Sequence, residues 1–204
     1  MPHFILTQVQ DLQAEHSSLS NQRIVLGGFS MGGATALTTG LSAWLDDNTT
    51  STEGTEAAMK DNSTAVSKQT HLPTLAGLAG IFSFSSWLST QSSFWPKLEA
   101  ARMRRFTAIS DSSDRSDRTT PFSSGSPLLP PVFLGHGSAD ALIPYAWGVD
   151  THARLSQHDK DNEGSDGQEV NSVQWVLEPG VEHKPGPQML AELLEWTLRA
   201  LPPI

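Results

Sequence analysis

The chain reads as an α/β fold, a mostly parallel sheet with helices on both faces. Three observations point there. Segments with apolar residues at helical spacing alternate with short apolar runs, in the order helix, strand, helix, strand, strand, helix, strand, helix. The short runs are almost wholly apolar, the mark of strands covered on both faces. At 204 residues the chain has the length of one domain and can bury one substantial core.

Taken in order, Ile5, Val9 and Leu12 follow Pro2 at helical spacing and predict an amphipathic helix over 3–18. Arg23–Gly27 is a short apolar strand, and Ala34, Leu37, Leu41 and Trp44 return to helical spacing over 31–45. Leu75–Phe84 forms a second strand, interrupted by glycines, and Pro131–Leu134 a third. Tyr145–Gln157 is helical, Val173–Leu177 is the fourth strand, and Pro187–Leu201 is a closing helix expected to turn Leu190, Leu193, Leu194 and Thr197 inward. Three polar stretches, at 46–70, 110–127 and 158–171, carry too little apolar surface to offset their ordering entropy. Residues 1–204 therefore read as a single domain with low-complexity insertions at those places, which should tolerate shortening.

Thirteen Lys and Arg against 22 Asp and Glu give a net charge of −9, which argues against a nucleic-acid or other phosphate-binding surface. The absence of cysteine removes disulfides, thiolate zinc sites and a cysteine nucleophile together, and suits a reducing compartment. No apolar run approaches the roughly 18 residues of a membrane span. The start, MPHFILTQVQDLQ, has no basic region ahead of its short apolar run and does not read as a secretory signal.

The chemistry concentrates at Gly28-Phe29-Ser30-Met31-Gly32, a G-x-S-x-G pattern between the second and third predicted elements. On a sharp strand-to-helix turn such a serine is forced into a strained conformation with its hydroxyl exposed above a helix N-terminus. Gly28 and Gly32 would supply the room, and Gly33 the close approach of helix to strand. The helix N-terminus favours a developing oxyanion. A serine nucleophile needs a base, and the base an orienting acid. Gly135-His136-Gly137-Ser138-Ala139-Asp140 follows the third strand and offers Asp140, whose bland role would be an N-cap or Asx turn. Pro179-Gly180-Val181-Glu182-His183 follows the fourth and offers His183. His136 competes as the base but precedes Asp140 and reads better as a loop brace, and Asp150 is the next candidate acid.

The segments GGFSMGG, LAGIFSFSSWL, HGSADALIPYAWG and PGVEHKPGPQMLAELLEWTLRAL together resemble the acyl-protein thioesterase and carboxylesterase (lysophospholipase-like) branch of the α/β-hydrolases, over residues 3–45, 75–98 and 131–202. The resemblance implies a cytoplasmic serine hydrolase of thioesters on acylated proteins, of small carboxylic esters or of lysophospholipids, with no metal or organic cofactor. It implies Ser30 as nucleophile, Asp140 as acid, His183 as base and the Met31 backbone N–H as one oxyanion donor. Where the family commonly has glutamine after the serine, this chain has Met31, which leaves the backbone donor intact. Trp87, just past the second strand, falls where family members place acyl-binding surface, although a core position suits it equally. A dienelactone hydrolase is disfavoured because that group typically uses a cysteine nucleophile.

One departure matters. In that family the nucleophile strand is about the fifth of the sheet, whereas here it begins near residue 24. The first strands, and the early loop that gives a second oxyanion N–H, are expected to be missing, leaving a weak catalyst with an unpaired strand edge. The alternative function is a hydrolase-like module of little or no activity that acts through binding or homodimerisation.

Overall fold

The computed structural model describes residues 2–16, 19–50, 75, 77–111, 129–160 and 172–202. Four strands, β1 (Val25–Phe29), β2 (Gly80–Phe84), β3 (Val132–Gly137) and β4 (Val173–Glu178), make one parallel sheet in sequence order. Among the described residues five α-helices accompany it: α1 (Pro2–Glu15), α2 (Met31–Thr50), α3 (Phe94–Asp111), α4 (Tyr145–Lys160) and α5 (Pro187–Ala200). Of the three polar stretches, 51–70, 112–127 and 161–171 lie outside the described residues, while α2, α3 and α4 run into their first positions.

Parallel neighbours joined in sequence order need a crossover after each strand. With one handedness throughout, those crossovers fall on one face. The strand side chains record the result by alternation. Ile81, Val132, Leu134 and Val173 join Leu37, Leu41, Phe94, Leu98 and Leu155 in a core that also takes Val9 of α1. Phe84, Phe133 and Val176 point the other way, onto Met189 and Trp196 of α5. Helices α1 to α4 therefore cover one face and α5 the opposite one.

Three expectations need correction. The 75–84 run is a strand only from Gly80; the bond from the Ala79 N–H to the Ile24 carbonyl, at 2.9 Å, joins the two segments just ahead of the β1–β2 ladder. Helix α3 was not expected; its signal is Phe94, Leu98 and Ala101 at helical spacing, with Pro96 inside the first turn, where no intrahelical N–H is needed. Leu190 and Leu194 do not face inward: they are 50% and 61% exposed, and Leu198 beside them 69%. The inward stripe is Met189, Leu193 and Trp196, one residue out of phase. Trp196 decides the phase, because its ring fills the space left by the missing side chain of Gly80. On α1, likewise, Val9 is buried while Leu12 stays in solvent.

Trp196→Ala should therefore lower stability by about 3–5 kcal/mol, as large core truncations do. Leu194→Ala on the neighbouring stripe should stay within about 0.5 kcal/mol of the parent. Urea unfolding of the two variants tests this, and the reverse order would restore the expected phase.

Candidate active site

Strand β1 gives way at once to Ser30, whose φ of 55° lies in the left-handed region. Its N–H donates to the Phe84 carbonyl at 2.8 Å, and its carbonyl accepts from Ala34 at 3.0 Å in the first turn of α2. The serine thus closes the β1–β2 ladder and opens a helix at once, which leaves its side chain projecting from the C-terminal edge of the sheet. The crowding is at Gly28 and Gly33, not at Gly28 and Gly32. A Cβ on Gly28 would stand 2.5 Å from the Gly32 carbonyl carbon, and one on Gly33 would strike the Ser83 hydroxyl, whereas one on Gly32 would meet nothing within 4 Å among the described residues.

Asp140 and His183 reach Ser30 from the loops after β3 and β4. The loops are stitched together: Ser138 N–H donates to the Glu178 carbonyl at 3.0 Å, Ala139 N–H to the Val181 carbonyl at 3.0 Å, and Gly180 N–H to Ser138 Oγ at 2.9 Å. Asp140 Oδ1 accepts the N–H groups of Leu142 and Ile143 at 3.0 and 2.8 Å, so the residue makes the Asx turn that competed with the acid role in the sequence. Its other oxygen, Oδ2, accepts from His183 Nδ1 at 2.8 Å. His183 Nε2 lies 3.1 Å from Ser30 Oγ. The sequence-selected serine, histidine and aspartate therefore form one hydrogen-bonded line. The Phe29 ring, 4.7 Å from the imidazole centroid, packs against His183.

Electrostatics follow from burial. Burial alone would raise the Asp140 carboxyl, but the Ile143 N–H, then His183 and the Leu142 N–H, outweigh it and hold the group below the ordinary carboxylate range. Burial lowers the His136 imidazole despite the Ile143 carbonyl and Asp140 nearby. His152 is lowered by burial too, stacked 5.7 Å from the Trp175 ring.

The remaining sequence candidates separate clearly. Met31 is the first residue of α2, so its N–H has no acceptor within the helix; its side chain is exposed. Trp87 is partly buried and rests 5.2 Å from the exposed Trp147 ring, so it belongs to neither core cluster. Asp150 sits exposed on α4 and pairs with Arg154 at 3.0 Å, which removes it as an acid for His183. Among the described residues no group of three or more His, Asp or Glu could hold a metal.

Two supporting residues went unread in the sequence. Glu178, buried at the end of β4, accepts the Gln188 and Met189 N–H groups at 3.2 and 3.0 Å and so anchors the start of α5. Its place just before Pro179-Gly180 was the available signal. Ser85 ends β2 as Ser30 ends β1, with φ of 46° and its N–H on the Gly135 carbonyl at 2.8 Å. Nothing in its local sequence marks it.

Over residues 8–155, close to three quarters of its length, the sequence matches BD-FAE, an α/β-hydrolase-like esterase domain. The chain belongs to the BD-FAE family. That match includes Ser30 and Asp140 and ends before β4, so His183 is joined to them by geometry alone. No curated protein matches this BD-FAE chain in sequence. Among solved structures, esterase PE8 superposes with a TM-score of 0.53 at 17% identity, over 97% of this chain and 59% of that one. Acyl-protein thioesterase 2 of Zea mays gives 0.49 at 18% identity, over 86% of this chain and 55% of the other. SOBER1 of Arabidopsis thaliana gives 0.48 at 14%, over 98% and 62%. The BD-FAE chain thus spans roughly three fifths of these proteins' lengths, and the PE8 superposition establishes the α/β-hydrolase type of fold.

Gly33→Ala should cost about 1–3 kcal/mol by overpacking against Ser83, while Gly32→Ala should be neutral or slightly stabilising; thermal unfolding of the pair checks which glycine the turn requires. Acid should also destabilise the fold. His136 and His152 titrate in the folded chain below their unfolded value of about 6.5, so the unfolded chain binds protons first as pH falls. Their contribution is present above that value and lost below it; that of Asp140, also depressed, is lost only in more acidic solution. The unfolding midpoint should fall between about pH 7 and pH 5, and His152→Gln should flatten the fall.

Proposed function

We propose that the chain is a serine hydrolase of carboxylic ester or thioester bonds. The line from Ser30 Oγ through His183 to Asp140, at 3.1 and 2.8 Å, is the observation that carries this reading. His183 Nε2 takes the Ser30 proton as Oγ attacks the acyl carbon, and Asp140 holds the Nδ1–H tautomer and balances the imidazolium that forms. The Met31 N–H, at the positive end of α2, faces the oxyanion. Protonated His183 then gives its proton to the departing alkoxide or thiolate. Water, deprotonated by the same imidazole, releases the acid from the acyl-serine and returns Ser30 to its starting form.

For the substrate, the exposed apolar side chains of Met31, Leu142, Tyr145 and Trp147 favour an acyl group over a charged one, and Trp87 against Trp147 is the proposed acyl rest. An acylated protein, a small ester and a lysophospholipid all meet that requirement, and a cytoplasmic setting suits a chain without cysteine. A second reading, a weakly active module that works through binding or homodimerisation, is favoured by the free edge of β1 in the described sheet and by the exposed Leu190, Leu194 and Leu198.

A fluorophosphonate probe should label the chain at Ser30, and Ser30→Ala should abolish both labelling and hydrolysis of short p-nitrophenyl esters without loss of thermal stability. Asp140→Asn should keep the fold and lose about 10⁴-fold in turnover through the wrong imidazole tautomer. Labelling that survives Ser30→Ala would refute the assignment. A folded wild type that takes no label would favour the binding module.

A further inference from the structure

Asp140 serves two imidazoles. His136, near the end of β3, is wholly buried, and its Nε2 lies 2.9 Å from the Ile143 carbonyl and 3.3 Å from Asp140 Oδ2. Both neighbours are acceptors, so Nε2 carries the ring hydrogen, which bonds the Ile143 carbonyl and sets the positive edge of the ring 3.3 Å from Oδ2. Nδ1 is then a bare acceptor, and among the described residues it has no hydrogen-bond partner although it is buried. Gly148 of α4 packs straight onto it, and a Cβ there would stand 2.8 Å away. A residue that only braced a loop would be expected to satisfy both nitrogens. Here one nitrogen is left unpaired while the other, bonded to the Ile143 carbonyl, lies beside the carboxylate.

We propose that His136 is a positioning residue for the site: as the neutral Nε2–H tautomer it fixes Oδ2 of Asp140 where His183 Nδ1 meets it. The two backbone N–H groups on Oδ1 anchor one carboxylate oxygen only, and a carboxylate held at one oxygen can still swing the other. His136 removes that freedom. Ile143 closes the arrangement into a ring, since its N–H holds Oδ1 and its carbonyl holds His136. The choice of a neutral donor matters chemically. A lysine or arginine in that place would orient Oδ2 but also neutralise it, and the carboxylate's charge is needed for the imidazolium on His183. Burial keeps His136 uncharged, so it orients Asp140 and leaves the charge to His183.

Three variants separate this role from mere packing. The amide nitrogen of Gln reaches the place of Nε2, that of Asn stops short near Nδ1, and Leu has no donor. The kinetic arm rests on the hydrolase reading, whereas proton NMR of the His183 Nδ1–H, identified by its loss in His183→Ala, does not. In His136→Leu and His136→Asn that low-field resonance should move upfield or vanish, and kcat should fall about ten- to a hundredfold with KM nearly unchanged. His136→Gln should restore both. If His136→Leu does not fold, the Asn and Gln pair decides. A resonance equally low-field in the Asn and wild-type proteins, or a folded Gln variant as impaired as Asn, would overturn the proposal. A wild type without ester turnover would sink the hydrolase reading, and the resonance would still decide the role of His136.

Discussion

A buried carboxylate cannot be left unpaired, and the Asp140 side chain is shut off from water. It is held by donors from its own turn and from the loop after β4, which reach both of its oxygens, with His136 of β3 3.3 Å from one of them. That requirement fixes the path of residues 138–144 and brings the segment carrying His183 alongside it. The stitching between the two loops and the anchoring of α5 by Glu178 serve the same end. The order of the site follows from the need to keep one negative charge solvated by protein rather than by water.

The sheet supplies the frame. Four parallel strands end at a common edge, and three of the loops beyond them bring Ser30, Asp140 and His183 together, the general position for sites in parallel α/β sheets. The fourth loop contributes differently. Ser85 repeats the backbone turn of Ser30 one strand over, and the hydroxyls of Ser83 and Ser86, bonded to each other, press against Gly33. The elbow is therefore backed by small side chains on its neighbour, and the same closeness that exposes Ser30 requires them.

Much of this was legible in the sequence. Ser30, Asp140 and His183 were readable because each sits in a glycine-marked loop directly after an apolar strand. The strands were readable as short apolar runs, and the two inner ones, β2 and β3, are covered on both faces. What escaped has physical reasons. On α5, apolar residues fill two adjacent stripes, and only the fit of Trp196 over Gly80, a contact across about 116 residues of chain, selects one. Gly32 and Gly33 are neighbours in the motif, and only the position of Ser83 tells which must lack a side chain. Helix α3 carries Arg102, Arg104 and Arg105 among its few apolar residues, which blurs its period. His136 looked like a brace, and it is one, but its second contact depends on where Asp140 turns its carboxylate.

The left-handed serine has a consequence for how such a chain can change. A side chain held there costs of the order of 1–3 kcal/mol against a residue at ease in that conformation, and glycine is that residue. On the nucleophile role proposed for it, Ser30 is kept against a standing thermodynamic preference for its own loss. Should demand on the hydroxyl lapse, drift at this position would be rewarded with a firmer fold, and the loss of chemistry would leave the scaffold sounder than before.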